Sequence, residues 1–253
     1  MRLAAKAEAP ALERLGVEAP EFLLVHGALG QAAMWREVIA ACPGRCLALS
    51  LRGHGASGGR ERLQDWTLDD YLDDVLRVLR TLPRPPVLVG HSMGALLGLL
   101  AAERAPLAGL VLLAPPPRDG WRREALRVFW HRPRATWDAM RTGSLLAPML
   151  NPETCRALLL TPDAPEELVA RAQAVAQEES WRASFAMRKA HYGRPPCPVR
   201  LLAGAEDGLV SAAATRRLGE FLGVEPVFLP GRGHLLPMQG DATELLRAAG
   251  ISP

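Results

Sequence analysis

The stretch Val87-Leu88-Val89-Gly90-His91-Ser92-Met93-Gly94-Ala95 decides how this chain is read. Three apolar residues of strand character run into a pentapeptide of the form G-x-S-x-G, and a helix rich in Ala and Leu is predicted from Ala95 to Glu103. In such a turn the chain passes from strand to helix with the serine at the tip, its hydroxyl standing clear of both elements. Glycine flanks the serine because a Cβ on either side would collide where the helix crowds the strand. A bare G-x-S-x-G is a common accident. Here the strand before it and the helix after it supply the context a nucleophile elbow needs.

The same alternation extends outward. Phe22 to Val25 reads as a strand, followed by His26-Gly27-Ala28-Leu29-Gly30 and a helix near Gln31 that carries Trp35, Val38 and Ile39. Cys46 to Leu49 is the next strand, running into Leu51-Arg52-Gly53-His54-Gly55-Ala56-Ser57-Gly58-Gly59. Thr67 to Leu79 has helical spacing, with Thr67 as cap, Asp69 and Asp70 in the first turn, and Leu68, Leu72, Val75, Leu76 and Leu79 on one face. Gly109 to Leu113 is a further strand. Continuous apolar strands alternating with helices predict an α/β fold, a mostly parallel central sheet with helices on both faces.

From Pro115 to Pro196 the alternation stops. Helical stretches are broken by Pro133, Pro148, Pro152, Pro162 and Pro165, and proline tracts at 115–117 and 195–198 bracket the segment. The sheet pattern resumes with Val199 to Ala203, a helix from Ser211 to Leu222, a strand from Pro226 to Leu229 and a last helix around Ala242 to Ala249. The expected organisation is an α/β core of residues 1–114 and 197–253 with a helical insert over 115–196.

A length of 253 residues suits one large domain of this kind. The net charge of +3 arises from 30 basic and 27 acidic residues without any run of like sign, so no nucleic-acid partner is expected. Cys42, Cys46, Cys155 and Cys197 lack the paired spacing of a metal site and are expected as free thiols in a reducing compartment. Nothing in Met1 to Pro20 reads as a signal peptide and no apolar run reaches ~18 residues, so a cytoplasmic protein without membrane contact is expected. No motif calls for a cofactor or a metal.

A serine hydroxyl is a poor nucleophile until a base lies within hydrogen-bond reach. Of the six histidines, His26, His54 and His91 lie in glycine-rich loops, and His131 and His191 lie in the insert. His234, in Pro230-Gly231-Arg232-Gly233-His234, follows the last predicted strand. Loops at the carboxyl ends of parallel strands gather along one rim, which puts His234 on the same rim as Ser92. The orienting acid is expected between them in chain order. Asp207, after the strand ending at Ala203, fits; its neighbour Glu206 and the earlier Asp119 compete with it.

Taken together, the blocks His26-Gly27, Arg52 to Ser57, Gly90 to Gly94, Gly204 to Asp207 and Gly231 to His234 resemble the α/β-hydrolase family. The resemblance runs from Phe22 to the C-terminal helix and is to its small bacterial esterase-like members, which carry a helical cap. It implies a serine hydrolase that cleaves a carboxylic ester or thioester through an acyl-enzyme, with Ser92, His234 and Asp207 as catalytic triad. It also implies an oxyanion hole made by the backbone N–H of Met93 and that of Ala28, with Leu29 as the next candidate. Related dehalogenases and epoxide hydrolases carry aspartate at the elbow, so the serine speaks against them. Where such proteins carry an aspartate two residues before the arginine of the second block, this chain has Ser50, and local rewiring without lost chemistry is expected.

As a cap, the insert is expected to line an acyl pocket with Trp130, Trp137, Met140, Trp181 and Phe185, joined by Leu29. Trp121, Ala125, Val128 and Phe129 have the spacing of helix packing. The expected substrate is a small molecule with an uncharged apolar acyl group of short to medium length. Arg118, Arg122, Arg123, Arg127 and Arg188 keep a carboxylate-bearing or CoA-linked substrate open. Aminopeptidase, perhydrolase or carbon–carbon bond hydrolase chemistry on the same triad is the alternative within enzymes, and a non-catalytic ligand-binding protein the alternative outside them.

Overall fold

The strands dictated by the apolar runs form one sheet in a computed structural model, which describes residues 9–120 and 122–252. The readings of Trp121 and of residues 1–8 lie outside the described residues. The strands are β1 (Arg14–Gly16), β2 (Phe22–Val25), β3 (Cys46–Leu49), β4 (Val87–His91), β5 (Gly109–Leu113), β6 (Val199–Gly204) and β7 (Val227–Leu229). Their order is β1-β3-β2-β4-β5-β6-β7. All neighbours from β3 to β7 pair in parallel, and only β1 pairs antiparallel, with β3. The sequence pattern did not announce β1, because three residues reading Arg-Leu-Gly carry no apolar run.

Successive residues of each strand point to opposite faces. Leu23, Val25, Leu88, Leu110 and Leu112 join one core with α2 (Leu68–Thr81), α3 (Met93–Ala102) and α9 (Ala212–Leu222). Phe22, Leu24, Val89, Val111 and Leu113 join the other, with α1 (Arg36–Ala41) and α10 (Ala242–Ala248). The α2 helix begins as its sequence requires. Thr67 Oγ1 accepts from the Asp70 N–H while Asp70 Oδ2 accepts from the Thr67 N–H, a reciprocal cap.

Between β5 and β6 the described residues hold no strand. They form α4 (Arg122–His131), α5 (Pro133–Thr142), α6 (Pro152–Leu159), α7 (Glu166–Val175) and α8 (Trp181–Ala186). Part of this segment has a small core of its own around Cys155, Leu160 and Val169. Cys42, Cys46 and Cys155 are buried free thiols, and Cys197 is half-buried. No helix among the described residues is long and apolar enough to cross a membrane.

Candidate active site

Ser92 sits between β4 and α3 with φ +50° and ψ −116°, a conformation that L residues rarely adopt. Close packing enforces it. A Cβ on Gly90 would lie 2.3 Å from the Gly94 carbonyl oxygen, and one on Gly94 would lie 2.3 Å from that of Val25. Both contacts are closer than atoms tolerate, so glycine is obligatory at each. The turn leaves the Met93 N–H at the first position of α3, where no intrahelical acceptor exists.

The parallel topology delivers the other groups to the same rim. His234, after β7, lies with Nε2 3.0 Å from Ser92 Oγ and with Nδ1 2.8 Å from Asp207 Oδ2. Asp207, after β6, also accepts at Oδ1 from the N–H groups of Leu209 and Val210, 2.8 Å each. Both side chains of this pair are almost wholly buried. With Nδ1–H donating to the carboxylate, Nε2 is free to accept the Ser92 hydroxyl proton. Of the competing acids, Glu206 is exposed, and Asp119 pairs with Arg217 at 3.1 Å. Only Asp207 reaches the histidine.

Supporting contacts hold the His234 loop. The Arg232 guanidinium donates to the carbonyls of Gln239 and Asp241, and Gln239 Oε1 accepts from the Gly233 N–H. His91 Nε2–H donates to the His234 carbonyl at 2.9 Å. Burial, followed by the positive charge His234 acquires on protonation, pushes the His91 pKa down to about 3, so His91 is neutral.

Facing the elbow is the loop after β2. Leu51 N–H donates to His26 Nε2 at 3.0 Å, which leaves Nδ1 as the protonated nitrogen, donating to the Gly27 carbonyl at 2.8 Å. Burial holds the His26 pKa down at about 3, and this tautomer persists. Leu29 has φ +64° and its N–H is engaged by Glu179 Oε2. The Ala28 N–H has no acceptor among the described residues. The geometry therefore separates the two oxyanion candidates, leaving Ala28 available and Leu29 occupied.

A cavity of about 410 Å³ opens over Ser92. The expected Leu29, Trp181 and Phe185 are in its wall, together with Leu145, Met149 and Leu158. Trp181 stacks on Phe185 and donates its Nε1–H to the Gly143 carbonyl. Glu178 accepts from the Leu145 and Leu146 N–H groups and so turns that loop inward. Trp130, Trp137 and Met140 are a correction: they are 72%, 65% and 72% exposed and do not line the cavity. On α5 the buried residue is Ala135, and a helix turns about 100° per residue, so Trp137 and Met140 fall on the outer face. Arg188 lines the cavity, Arg123 and Arg127 pair with Asp119 and Glu124, and Arg118 lies over the Phe221 ring; the side chain of Arg122 lies outside what the structure describes.

Two acids that sequence reasoning missed are structural partners of this site. Glu13, beside β1, accepts from Ser50 Oγ at 2.6 Å and from the Ala56 N–H at 3.1 Å, so a carboxylate reaches position 50 although the residue there is serine. Glu179, between α7 and α8, is fully buried against His54 at 3.3 Å. Burial opposes a charge on His54, but the Glu179 carboxylate outweighs it and raises the pKa above the usual value. Burial likewise opposes the Glu179 charge, yet His54 and the surrounding donors carry its pKa below the usual one. Neither acid lies in a recognisable motif, and each is remote in sequence from its partners.

The geometry accords with comparisons to known proteins. The model of the alpha/beta hydrolase family matches residues 22–249. Over 110 residues the chain is 36% identical to the pimeloyl-[acyl-carrier protein] methyl ester esterase of Methylococcus capsulatus, covering 40% of this chain and 41% of that protein. Over 90 residues it is 34% identical to the 2-(acetamidomethylene)succinate hydrolase of Mesorhizobium japonicum, covering 34% and 32%. The matches thus span less than half the length of these curated relatives. An esterase from Thermogutta terrifontis shares the fold, with a TM-score of 0.72 at 22% identity over 95% of this chain and 90% of that one. With the family model matched along nearly its whole length, the chain belongs to the alpha/beta hydrolase family.

Proposed function

We propose that the protein hydrolyses a carboxylic ester or thioester through an acyl-enzyme on Ser92. The observation that carries this reading is the unbroken hydrogen-bonded chain from Ser92 Oγ through His234 to Asp207, at 3.0 and 2.8 Å. Ser92 Oγ attacks the substrate carbonyl carbon as its proton passes to His234 Nε2. The carbonyl π pair moves onto oxygen, and the resulting oxyanion is held by the N–H groups of Ala28 and Met93. As the tetrahedral species collapses, the bond to the alcohol or thiol breaks and the leaving group takes the proton from His234. Water then repeats the sequence on the acyl-serine and releases the acid. Asp207 fixes the Nδ1–H tautomer and stabilises the imidazolium formed in each step.

The segment 115–196 acts as a cap that supplies most of the acyl pocket. Its apolar wall suits an uncharged acyl chain of short to medium length, a small-molecule substrate. Two relatives, named as a methyl ester esterase and as a 2-(acetamidomethylene)succinate hydrolase, support hydrolytic chemistry. Incubation with a fluorophosphonate probe and peptide mapping tests the reading. Ser92 is expected to carry the adduct in the wild type, and Ser92→Ala and His234→Ala are expected to carry none. A wild-type protein without an adduct would overturn the reading in favour of a ligand-binding protein.

A further inference from the structure

We propose that Glu179 is a positioning residue for this reaction: its buried carboxylate grips the Leu29 amide and thereby aims the neighbouring Ala28 N–H at the oxyanion. The proposal rests on the reading of Ala28 and Met93 as the oxyanion hole.

Leu29 is a non-glycine residue at φ +64°, a conformation held only where surroundings impose it. The surroundings here are two backbone-to-insert contacts. The Leu29 N–H donates to Glu179 Oε2 at 3.3 Å, and the Leu29 carbonyl accepts from the Gln177 N–H at 2.8 Å. The peptide plane carrying the Leu29 N–H shares the Ala28 Cα with the plane carrying the Ala28 N–H. Clamping the first therefore restricts the direction of the second.

A wholly buried carboxylate is expensive unless both its oxygens are satisfied. Glu179 Oε1 accepts from the Tyr71 hydroxyl at 2.6 Å and from the Ser180 N–H at 2.7 Å. Oε2 faces Leu29 N–H and, at 3.3 Å, His54 Nε2. His54 Nδ1–H donates to the Arg52 carbonyl at 3.1 Å, so the ring is anchored from its far side. Donors converge on both ends of the side chain, and only a carboxylate has acceptors at both. None of these groups touches the reacting atoms. The loop holding Leu29 comes from the sheet and the acid from the insert, so the contact joins the cavity wall to the candidate oxyanion donor.

Glu179→Gln tests this directly. With its oxygen kept toward Tyr71 and Ser180, the new amide group presents N–H to the Leu29 N–H, and the clamp is lost. Two ligands of one shape are compared. An octyl trifluoromethyl ketone adds Ser92 Oγ to its carbonyl carbon, passing the serine proton to His234 and placing an oxyanion in the hole. The octyl methyl ketone occupies the same cavity without addition. The expected result is about 10- to 100-fold weaker binding of the trifluoromethyl ketone, the scale of a misplaced catalytic group, with methyl ketone affinity unchanged. Equal losses for both ligands, or no loss for either, would overturn the proposal. Glu179→Asp, which keeps the charge but retracts it by a methylene, is expected to show the same split and replaces Glu179→Gln should that variant fail to fold. Independently of any variant, the Leu29 amide of the unliganded wild type is expected to exchange slowly with deuterium; fast exchange there would also refute the clamp. A wild-type protein that neither binds the trifluoromethyl ketone nor takes up fluorophosphonate would instead sink the hydrolase reading itself.

Discussion

Glu13 and Ser50 meet through a 2.6 Å hydrogen bond across 37 positions of sequence, one from the antiparallel edge of the sheet and one from the end of β3. Ser50 Oγ in turn accepts from the Ala32 N–H at 2.9 Å, so the pair fastens the first helical turn after β2. A carboxylate at Ser50 is here supplied by a residue just before β1.

This exchange of position is open to a double-mutant cycle. Glu13→Ala leaves the Ser50 hydroxyl and the Ala56 N–H without an acceptor and is expected to cost about 1–3 kcal/mol. Ser50→Asp alone sets two carboxylates against each other and is also expected to destabilise. Combined, the new aspartate takes over the missing acceptor, and the double variant is expected to be at least ~1 kcal/mol more stable than the sum of the single changes implies. Urea unfolding of the four proteins measures it; additive losses would refute the substitution of one acid by the other.

Gly27 is tested by one added methyl group. A Cβ there would lie 2.8 Å from His91 Nδ1 and 2.9 Å from Ser92 Cβ. Gly27→Ala is expected to lower stability by about 1–3 kcal/mol, at roughly 2–4 °C in Tm per kcal/mol for a chain of this size. Since the methyl group pushes the proposed oxyanion loop away from the serine, kcat is expected to fall at least about 10-fold. Calorimetry with ester kinetics checks both, and a variant with wild-type kcat would show that the loop tolerates displacement.

His26 and His91 make stability depend on pH with a definite sign. Both have folded pKa values near 3 through burial, against about 6.5 in an unfolded chain. Below about pH 6.5 the unfolded chain binds protons the folded one refuses, so their contribution is complete above that pH and is lost progressively down to about pH 3. His54 behaves oppositely: its raised pKa contributes fully below about pH 6.5 and is lost as pH rises through the folded value. Between pH 6 and 5 the expected slope is about 1.2 kcal/mol per pH unit for each of the two depressed histidines. His91→Gln, which keeps a donor for the His234 carbonyl, is expected to halve it. Urea unfolding across that window measures the slope, and a flat profile would mean that both histidines reach solvent.

Chain-length selectivity follows from the cavity wall. Each methylene that enters an apolar cavity gains ~0.8 kcal/mol, about fourfold in kcat/KM. A p-nitrophenyl ester series is expected to rise in kcat/KM by about that factor per methylene until the cavity is full, then fall. Leu145→Trp narrows the wall over Ser92 and is expected to move the maximum to shorter acids with little change in kcat for acetate. An unmoved maximum would place the acyl chain elsewhere.

What was legible in sequence was what continuous patterns encode. Cys46–Leu49 and Gly109–Leu113 are strands to the residue, because unbroken apolar runs bounded by turn formers admit no other register. Ser92, Asp207 and His234 converge because the rim of a parallel sheet collects whatever follows each strand. The face on which Trp130, Trp137 and Met140 lie was not legible, since helical spacing defines a stripe without saying whether solvent or the pocket meets it. Glu13 and Glu179 were hidden for a different reason. A carboxylate whose partners are brought from distant loops has no local signature, and its burial emerges only when those loops are packed.

The contact of Gly94 with the Val25 carbonyl reaches beyond the turn it permits. It sets the elbow directly against the strand that leads to Ala28, backbone on backbone, with no side chain between them. The spacing between the Ser92 hydroxyl and the opposing Ala28 amide is therefore a dimension of the main chain, which side-chain replacement cannot easily retune. Under the proposed function, substitutions in the walls of the insert are therefore the readier way to alter what the cavity accepts.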